Sequence, residues 1–118
     1  MTFAIDAAAP EPPYKQLRAQ VVAGALDGSL PAGTRLPTVR ALAEQLDLAP
    51  NTVARAYREL ETAGVIETRG RSGSFVALST DAAERTLQEA AVAYAARARS
   101  LGVDAARAQA YVAAALRS

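Results

Sequence analysis

The chain of 118 residues contains neither cysteine nor histidine. The first absence removes disulfide frameworks and thiolate metal sites, and the second removes the commonest general base and the commonest imidazole metal ligand. Aromatic residues make up only 5% of the chain, while apolar residues reach 51% with alanine prominent among them. A core built from such material is thin and helical. No apolar run approaches the roughly 18 residues that a membrane span needs, and no basic stretch followed by an apolar core opens the chain. A cytoplasmic protein with no membrane partner is the expectation. The length fits one ordinary domain, or a small domain with an appendage. The net charge is +1. Between residues 36 and 76, five basic residues (Arg40, Arg55, Arg58, Arg69, Arg71) are balanced by five acidic ones (Glu44, Asp47, Glu59, Glu61, Glu67). Bulk charge therefore does not mark a nucleic-acid binder; that role needs the arginines gathered on one face.

What is present is concentrated in the same stretch. Val39, Leu42, Ala43 and Leu46 fall on one helical stripe, and Val53, Ala56, Tyr57 and Leu60 on another. Only Asp47, Leu48, Ala49 and Pro50 separate them. So short a connection predicts two neighbouring helices at a steep angle, a helix-turn-helix. The second helix then presents Asn51, Thr52, Arg55 and Arg58 outward, donor-rich side chains near its N-terminus. Thr38 stands at the N-cap of the first helix, which puts Arg40 in its first turn. A cation there opposes the helix dipole unless an anion such as a phosphate offsets it. Ala49 at the next N-cap is a poor cap, followed by Pro50 at N1. Gly64 ends the helix. Residues 65–69 and 74–78 read as paired strands about a tip of Gly70, Arg71, Ser72 and Gly73, and 34–36 as a short extended piece able to pair with them. Tyr57 reads as core with its hydroxyl reaching the surface, and the two tip glycines as turn chemistry rather than a nucleotide cradle.

Upstream, residues 1–13 are expected to be extended and partly mobile, with Phe3 and Ile5 available as anchors. A helix follows from the Pro12 and Pro13 entry to about Asp27, with Tyr14, Leu17, Val21 and Ala25, or Val22 and Leu26, inward and Gly28 as its stop. Downstream of Thr80 the composition changes. Thr80 or Asp81 caps a helix to about Ser100, on which Leu87, Ala91, Tyr94, Ala98 and Leu101 recur at four and three residues. Gly102 breaks it, and Asp104 caps a last helix carrying Ala108, Tyr111, Val112, Ala115 and Leu116 on one side. These alanine-rich stripes predict a helical hairpin that packs against a second copy and is too small to enclose an effector pocket. The chain thus divides at about residue 78 into a domain, 1–78, and a two-helix dimerisation tail, 79–118.

Taken together, Leu36, Pro37, Thr38, Val39, Arg40, Leu42 and Ala43, then Asn51, Thr52, Val53, Ala56, Tyr57, Leu60 and Gly64, then Gly73, Ser74, Phe75 and Val76, resemble the winged helix-turn-helix of GntR-family bacterial transcription regulators. The likeness reaches back through Pro13, Tyr14, Gln16 and Leu17 to Ile5 and Asp6 and covers about two-thirds of the chain. The tail length resembles the short-tailed, YtrA-like branch, whose tail serves dimerisation. The resemblance implies a mainly α fold with a small β-wing. It implies a non-enzymatic, homodimeric repressor on a palindromic double-stranded DNA operator, with Thr38, Arg40, Asn51, Thr52, Arg55, Arg58, Arg69, Gly70, Arg71 and Gly73 as DNA-binding residues. Arg40 and Arg71 suit phosphate or minor-groove edges; Asn51 and Thr52 suit base edges. Ala54 stands where acyl-responsive relatives carry an arginine, so a different operator preference is expected. The residues designate no cofactor, metal or small-molecule effector. The alternative reading is a winged-helix adaptor that binds another protein without sequence-specific DNA binding; a small hydrolase is disfavoured by the missing His and Cys.

Overall fold

The computed structural model describes residues 2–117. It contains two compact units, Met1–Leu78 and Ser79–Ser118, whose outermost residues, Met1 and Ser118, lie outside the described set. The first unit holds α1 (Pro13–Asp27), α2 (Val39–Leu46), α3 (Pro50–Thr62), β1 (Ile66–Thr68), a 3-10 turn (Gly70–Ser72) and β2 (Ser74–Val76). The second holds α4 (Ala82–Ser100) and α5 (Ala105–Arg117). This is a mainly helical fold with a small wing, as the sequence led one to expect. Among the described residues no helix is long and apolar enough to cross a membrane.

The first unit closes on one apolar cluster. Leu17 and Val21 of α1, Leu42 and Ala43 of α2, and Val53, Ala56, Tyr57 and Leu60 of α3 meet Leu30, Leu36, Ile66 and Val76. On α1, Tyr14, Val22 and Ala25 pack at the margin of this cluster, but Leu26 is 83% exposed, so the inward stripe runs through Leu17 and Val21. Gly24 is the reason α1 can be approached so closely. A Cβ there would stand 2.7 Å from both Cγ and Cδ1 of Leu30, which folds back over the helix end as its N–H donates to the Gly24 carbonyl at 2.9 Å.

Helix ends follow local chemistry. Thr38 Oγ1 accepts from the Ala41 N–H at 3.1 Å, whereas Ala49 supplies no side-chain cap to α3. α3 ends at Thr62, two residues before Gly64, because Gly64 is the left-handed residue after the C-cap. The Val65 N–H then donates to Leu60 and the Gly64 N–H to Glu61, the paired bonds of a Schellman stop. α2 stops in the same way, with Leu48 donating to Ala43 and Asp47 to Glu44, but its left-handed residue is Asp47 (φ 55°).

β1 and β2 pair antiparallel in the register Ile66 with Val76, Glu67 with Phe75 and Thr68 with Ser74. They are shorter than the five residues expected on each side. Arg69 and Gly73 already belong to the tip, where the Arg69 N–H donates to the Gly73 carbonyl and the 3-10 turn fills the space between. The extended piece at 34–36 does join the sheet: Val76 donates to Thr34 and Leu36 to Ser74, both at 2.8 Å.

The N-terminal arm is tied down, not loose. Two glutamines one turn apart on α1 grip its backbone. The Gln16 side chain accepts from the Asp6 N–H and donates to the Asp6 and Glu11 carbonyls; Gln20 does the same with both backbone groups of Ala4. Phe3 and Ile5, on either side of Ala4, pack on the core.

In the second unit Asp81 caps α4 through the Glu84 N–H and Asp104 caps α5 through the Arg107 N–H. Gly102, at φ 72°, makes the turn. The Tyr94 hydroxyl donates to the Ala108 carbonyl at 2.7 Å and pins the two helices together.

Candidate nucleic-acid interface

Helical periodicity sets the outward face of α3. With Val53, Ala56, Tyr57 and Leu60 buried, the opposite side carries Asn51, Arg55 and Arg58, all exposed, while Thr52 is half-buried on the flank. Ala54, on the other flank, is also half-buried and offers only a methyl group. Tyr57 is 6% exposed, and its hydroxyl goes not to the surface but to the Pro37 carbonyl at 2.7 Å. That bond lies inside the fold because Pro37 sits at the joint between the extended 34–36 segment and α2. Burial pushes the hydroxyl pKa up to about 12.

The acidic residues of this unit are distributed so that the charge balance of the sequence is misleading. Glu67 takes the Arg69 guanidinium, which also lies 4.3 Å over the Phe75 ring. Glu61 accepts from the Thr68 hydroxyl at the base of the wing. Glu59 binds both Arg18 of α1 and Arg55, and Arg55 stacks 3.8 Å above the Tyr14 ring. Burial raises the Glu59 pKa, but the hydrogen bonds and charges of Arg55 and Arg18 outweigh it and hold the carboxyl below its ordinary value. Arg40, Arg58 and Arg71 have no ion-pair partner among the described residues, and all three are exposed.

The residues singled out in the sequence therefore fall into three places. Thr38 and Arg40 stand at the α2 N-terminus, where the Thr38 oxygen is used as a cap and its proton stays available for donation. Asn51, Thr52, Arg55 and Arg58 ride on α3. Arg69, Gly70, Arg71 and Gly73 form the wing tip, with Gly70 and Gly73 at φ 54° and 105°. Among the arginines, Arg55 and Arg69 differ from Arg40, Arg58 and Arg71 in being held by intramolecular partners. Sequence reasoning missed Tyr14, Arg18 and Arg35. Arg18 and Glu59 lie 41 residues apart, so no local spacing could join them. Arg35 is exposed beside the wing, its Nε 3.4 Å from where a Gly73 Cβ would be; the extended pairing expected at 34–36 was the one available signal.

The tail stripes remain open. Leu87, Leu101 and Leu116 are 71%, 70% and 82% exposed, and Tyr94, Tyr111 and Val112 are exposed as well. Ala108 alone of the named tail residues is buried. A groove of about 540 Å³ runs between α4 and α5, lined by Tyr94, Ala98, Val103, Ala108, Val112 and Leu116 among others. No cluster of metal-ligating side chains occurs among the described residues.

This arrangement is shared with known proteins. Residues 13–76 match the family of bacterial regulatory proteins described as the gntR family. The chain is 50% identical over 108 residues to the HTH-type transcriptional regulator Rv1152 of Mycobacterium tuberculosis, covering 92% of this chain and 88% of that protein. It is 39% identical over 85 residues to the HTH-type transcriptional repressor YtrA of Bacillus subtilis, covering 72% of this chain and 63% of the repressor. Its fold is similar to the structure of YtrA from Sulfolobus acidocaldarius, a GntR-family transcription factor, with a TM-score of 0.61 at 29% identity over 79% of this chain and 95% of that one.

Proposed function

The chain belongs to the gntR family of bacterial regulatory proteins and is a YtrA-like transcription regulator; from that premise we propose that it is a homodimeric repressor that binds a palindromic operator in double-stranded DNA. The observation that carries this reading is the outward face of α3. Asn51, Arg55 and Arg58 are exposed there opposite a fully packed inner stripe, and the same unit carries Arg40 and Arg71 exposed and without an ion-pair partner among the described residues. Asn51 and Thr52, at the N-terminal end, suit base edges in the major groove, whereas Arg40, Arg58 and the wing suit backbone phosphates. The α3 N-terminus opens on Pro50 without a side-chain cap, and the Thr52 and Val53 N–H groups turn back to the Ala49 carbonyl, so the Asn51 N–H and the dipole are what favour an anion at the same end.

Repression and a two-fold assembly are supported by the name of the Bacillus subtilis relative and by the open apolar stripes of α4 and α5. On this reading residues 1–78 bind DNA and residues 79–118 join two copies. A two-fold dimer presents its two α3 helices to half-sites about one helical turn, roughly 10 bp, apart or a multiple of it. The test is a gel shift with the DNA upstream of the protein's own gene, followed by footprinting. A protected palindrome supports the reading; binding that does not separate this DNA from random duplex excludes it. In that case the open α3 face would dock a protein instead.

A further inference from the structure

Three guanidinium groups and one carboxylate converge on the open groove between α1 and α3. Arg18 comes from α1, and Arg55, Arg58 and Glu59 from α3; the depression has a volume of about 1010 Å³. Glu59 is shared between Arg18 and Arg55, and no other carboxylate lines the groove. Three positive charges against one negative leave a surplus of two in a place that water reaches: the side chains of Arg18, Glu59 and Arg55 are 38%, 34% and 55% exposed. A surplus of this kind draws an anion.

The helix geometry says which anion. An α-helix with its side chains is roughly 10–12 Å across, and the major groove of B-DNA is about 12 Å wide. A seated helix therefore has a phosphate backbone along each flank. On α3 the flank toward α1 is the one that carries Glu59, with Arg18 reaching across to it. We propose that Arg18 is a DNA-backbone contact, and that Glu59 is an internal stand-in for the phosphate, holding Arg18 and Arg55 in position in the free protein and ceding them to the duplex. This rests on the DNA-binding reading above. The Tyr14 ring beneath Arg55 keeps that guanidinium in place when Glu59 lets go. The carboxylate also repels any backbone that approaches, so it lowers affinity for all duplexes and leaves base contacts to decide which one is held.

The experiment titrates the full chain against its footprinted upstream DNA and against a random duplex, comparing the parent with Glu59→Gln, Arg18→Gln and Arg18→Lys. Glu59→Gln should bind both duplexes more tightly than the parent. Each phosphate contact contributes about 0.9 to the salt slope and the two protomers lose one each, so the slope should fall by about 1.8, and between about 50 and 200 mM salt Arg18→Gln should lose roughly 12-fold less affinity than the parent does. Arg18→Lys keeps the charge and should keep the parent's slope, which separates a lost contact from a damaged fold. If the parent binds its operator but Arg18→Gln shows the parent's salt dependence, or Glu59→Gln binds no tighter, the proposal is overturned while the DNA reading stands. A parent that binds neither duplex overturns both.

Discussion

The Tyr57 hydroxyl donates to the Pro37 carbonyl at 2.7 Å, and this bond ties the middle of α3 to the residue just before the α2 cap. It therefore sets where Arg40 stands relative to Asn51. Tyr57→Phe keeps the ring packing and removes the bond, which should lower stability by about 1 kcal/mol in a denaturant melt. It should also weaken operator binding without changing its salt slope. The pH dependence has a definite sign. The folded state raises the hydroxyl pKa to about 12, so the protonated form is favoured by folding. Its contribution is complete below the ordinary tyrosine value of about 10 and is lost as pH rises toward 12. The stability gap between parent and variant should close over that interval, and a gap that widens there would contradict the assignment.

Gly24 and Asp47 make opposite predictions about glycine. At Gly24 an alanine gains roughly 1 kcal/mol of helix propensity but meets Leu30 at 2.7 Å, and overpacking of that kind costs roughly 1–3 kcal/mol. Gly24→Ala should be net destabilising, and adding Leu30→Ala should recover part of the loss relative to Leu30→Ala alone. At Asp47 the left-handed backbone costs an ordinary L-residue roughly 1–2 kcal/mol, against roughly 0.5–1 kcal/mol of extra chain entropy for glycine. Asp47→Gly should therefore stabilise by about 0.5 kcal/mol or more, while Asp47→Ala destabilises. Thermal melts of the four single variants and the Gly24→Ala, Leu30→Ala double variant decide both cases.

How much of this was legible in the sequence depends on whether the signal was local. The stripes of α2 and α3, the Thr38 cap, the bare α3 N-terminus and the glycine stops all follow from residues within a turn or two of each other, and each appears where the pattern put it. The pairing of 34–36 with the wing was also readable, from its position between two turns. Contacts across the fold were not readable. Nothing in the spacing tells that Gln16 and Gln20 grip the N-terminal arm, that Leu30 needs Gly24, or that Arg18 finds Glu59. Those depend on how α1 lies against its neighbours, which only the packing decides. The Asp47 stop was hidden because residues 47–50 hold no glycine to mark it, and an aspartate after a helix suits a turn with or without the left-handed conformation.

Acid should act on the α1–α3 tie through Glu59. Its carboxyl titrates below the ordinary value because Arg55 and Arg18 favour the charged form over the opposing effect of burial. A depressed pKa adds stability that is present above the ordinary glutamate value of about 4.3 and is lost as pH falls through the folded-state value. The Glu59→Gln variant lacks that group, so any stability difference from the parent at neutral pH should shrink as the solution is acidified below that range. Parallel melts across an acid series would reveal it, and a difference that grows on acidification would show that the pair opposes folding.

Arg40 and Asn51 should fail in different ways. Arg40 sits in the first turn of α2, against the dipole, and on the DNA-binding reading proposed above a phosphate is the anion that would relieve it. Arg40→Ala should weaken binding to every duplex and lower the salt slope by about one for each protomer bound. Asn51 offers a carboxamide at the start of α3, and Asn51→Ala should relax discrimination at one operator position, an effect on the order of 1–3 kcal/mol between right and wrong base. Titrations against single-base operator variants at two salt concentrations separate the two. If both substitutions change only the slope, Asn51 touches the backbone and not a base.

The open stripes of the tail make the assembly testable apart from DNA. Burying a leucine that is otherwise in water is worth roughly 1.5–3 kcal/mol, and each 1.4 kcal/mol is about tenfold in a dissociation constant. Leu116, at 82% exposure, and Leu101, at 70%, should therefore each weaken self-association by about tenfold or more when replaced by glutamate. Tyr94 and its bond to the Ala108 carbonyl should hold the hairpin in these variants, so helix content by circular dichroism should not change. Sedimentation should show a dimer for the parent and a shift toward monomer for Leu101→Glu and Leu116→Glu. Operator affinity should fall with it, because one α3 helix reaches only one half-site. A parent that sediments as a monomer at all concentrations, or variants that remain dimeric, would move the interface away from these two helices.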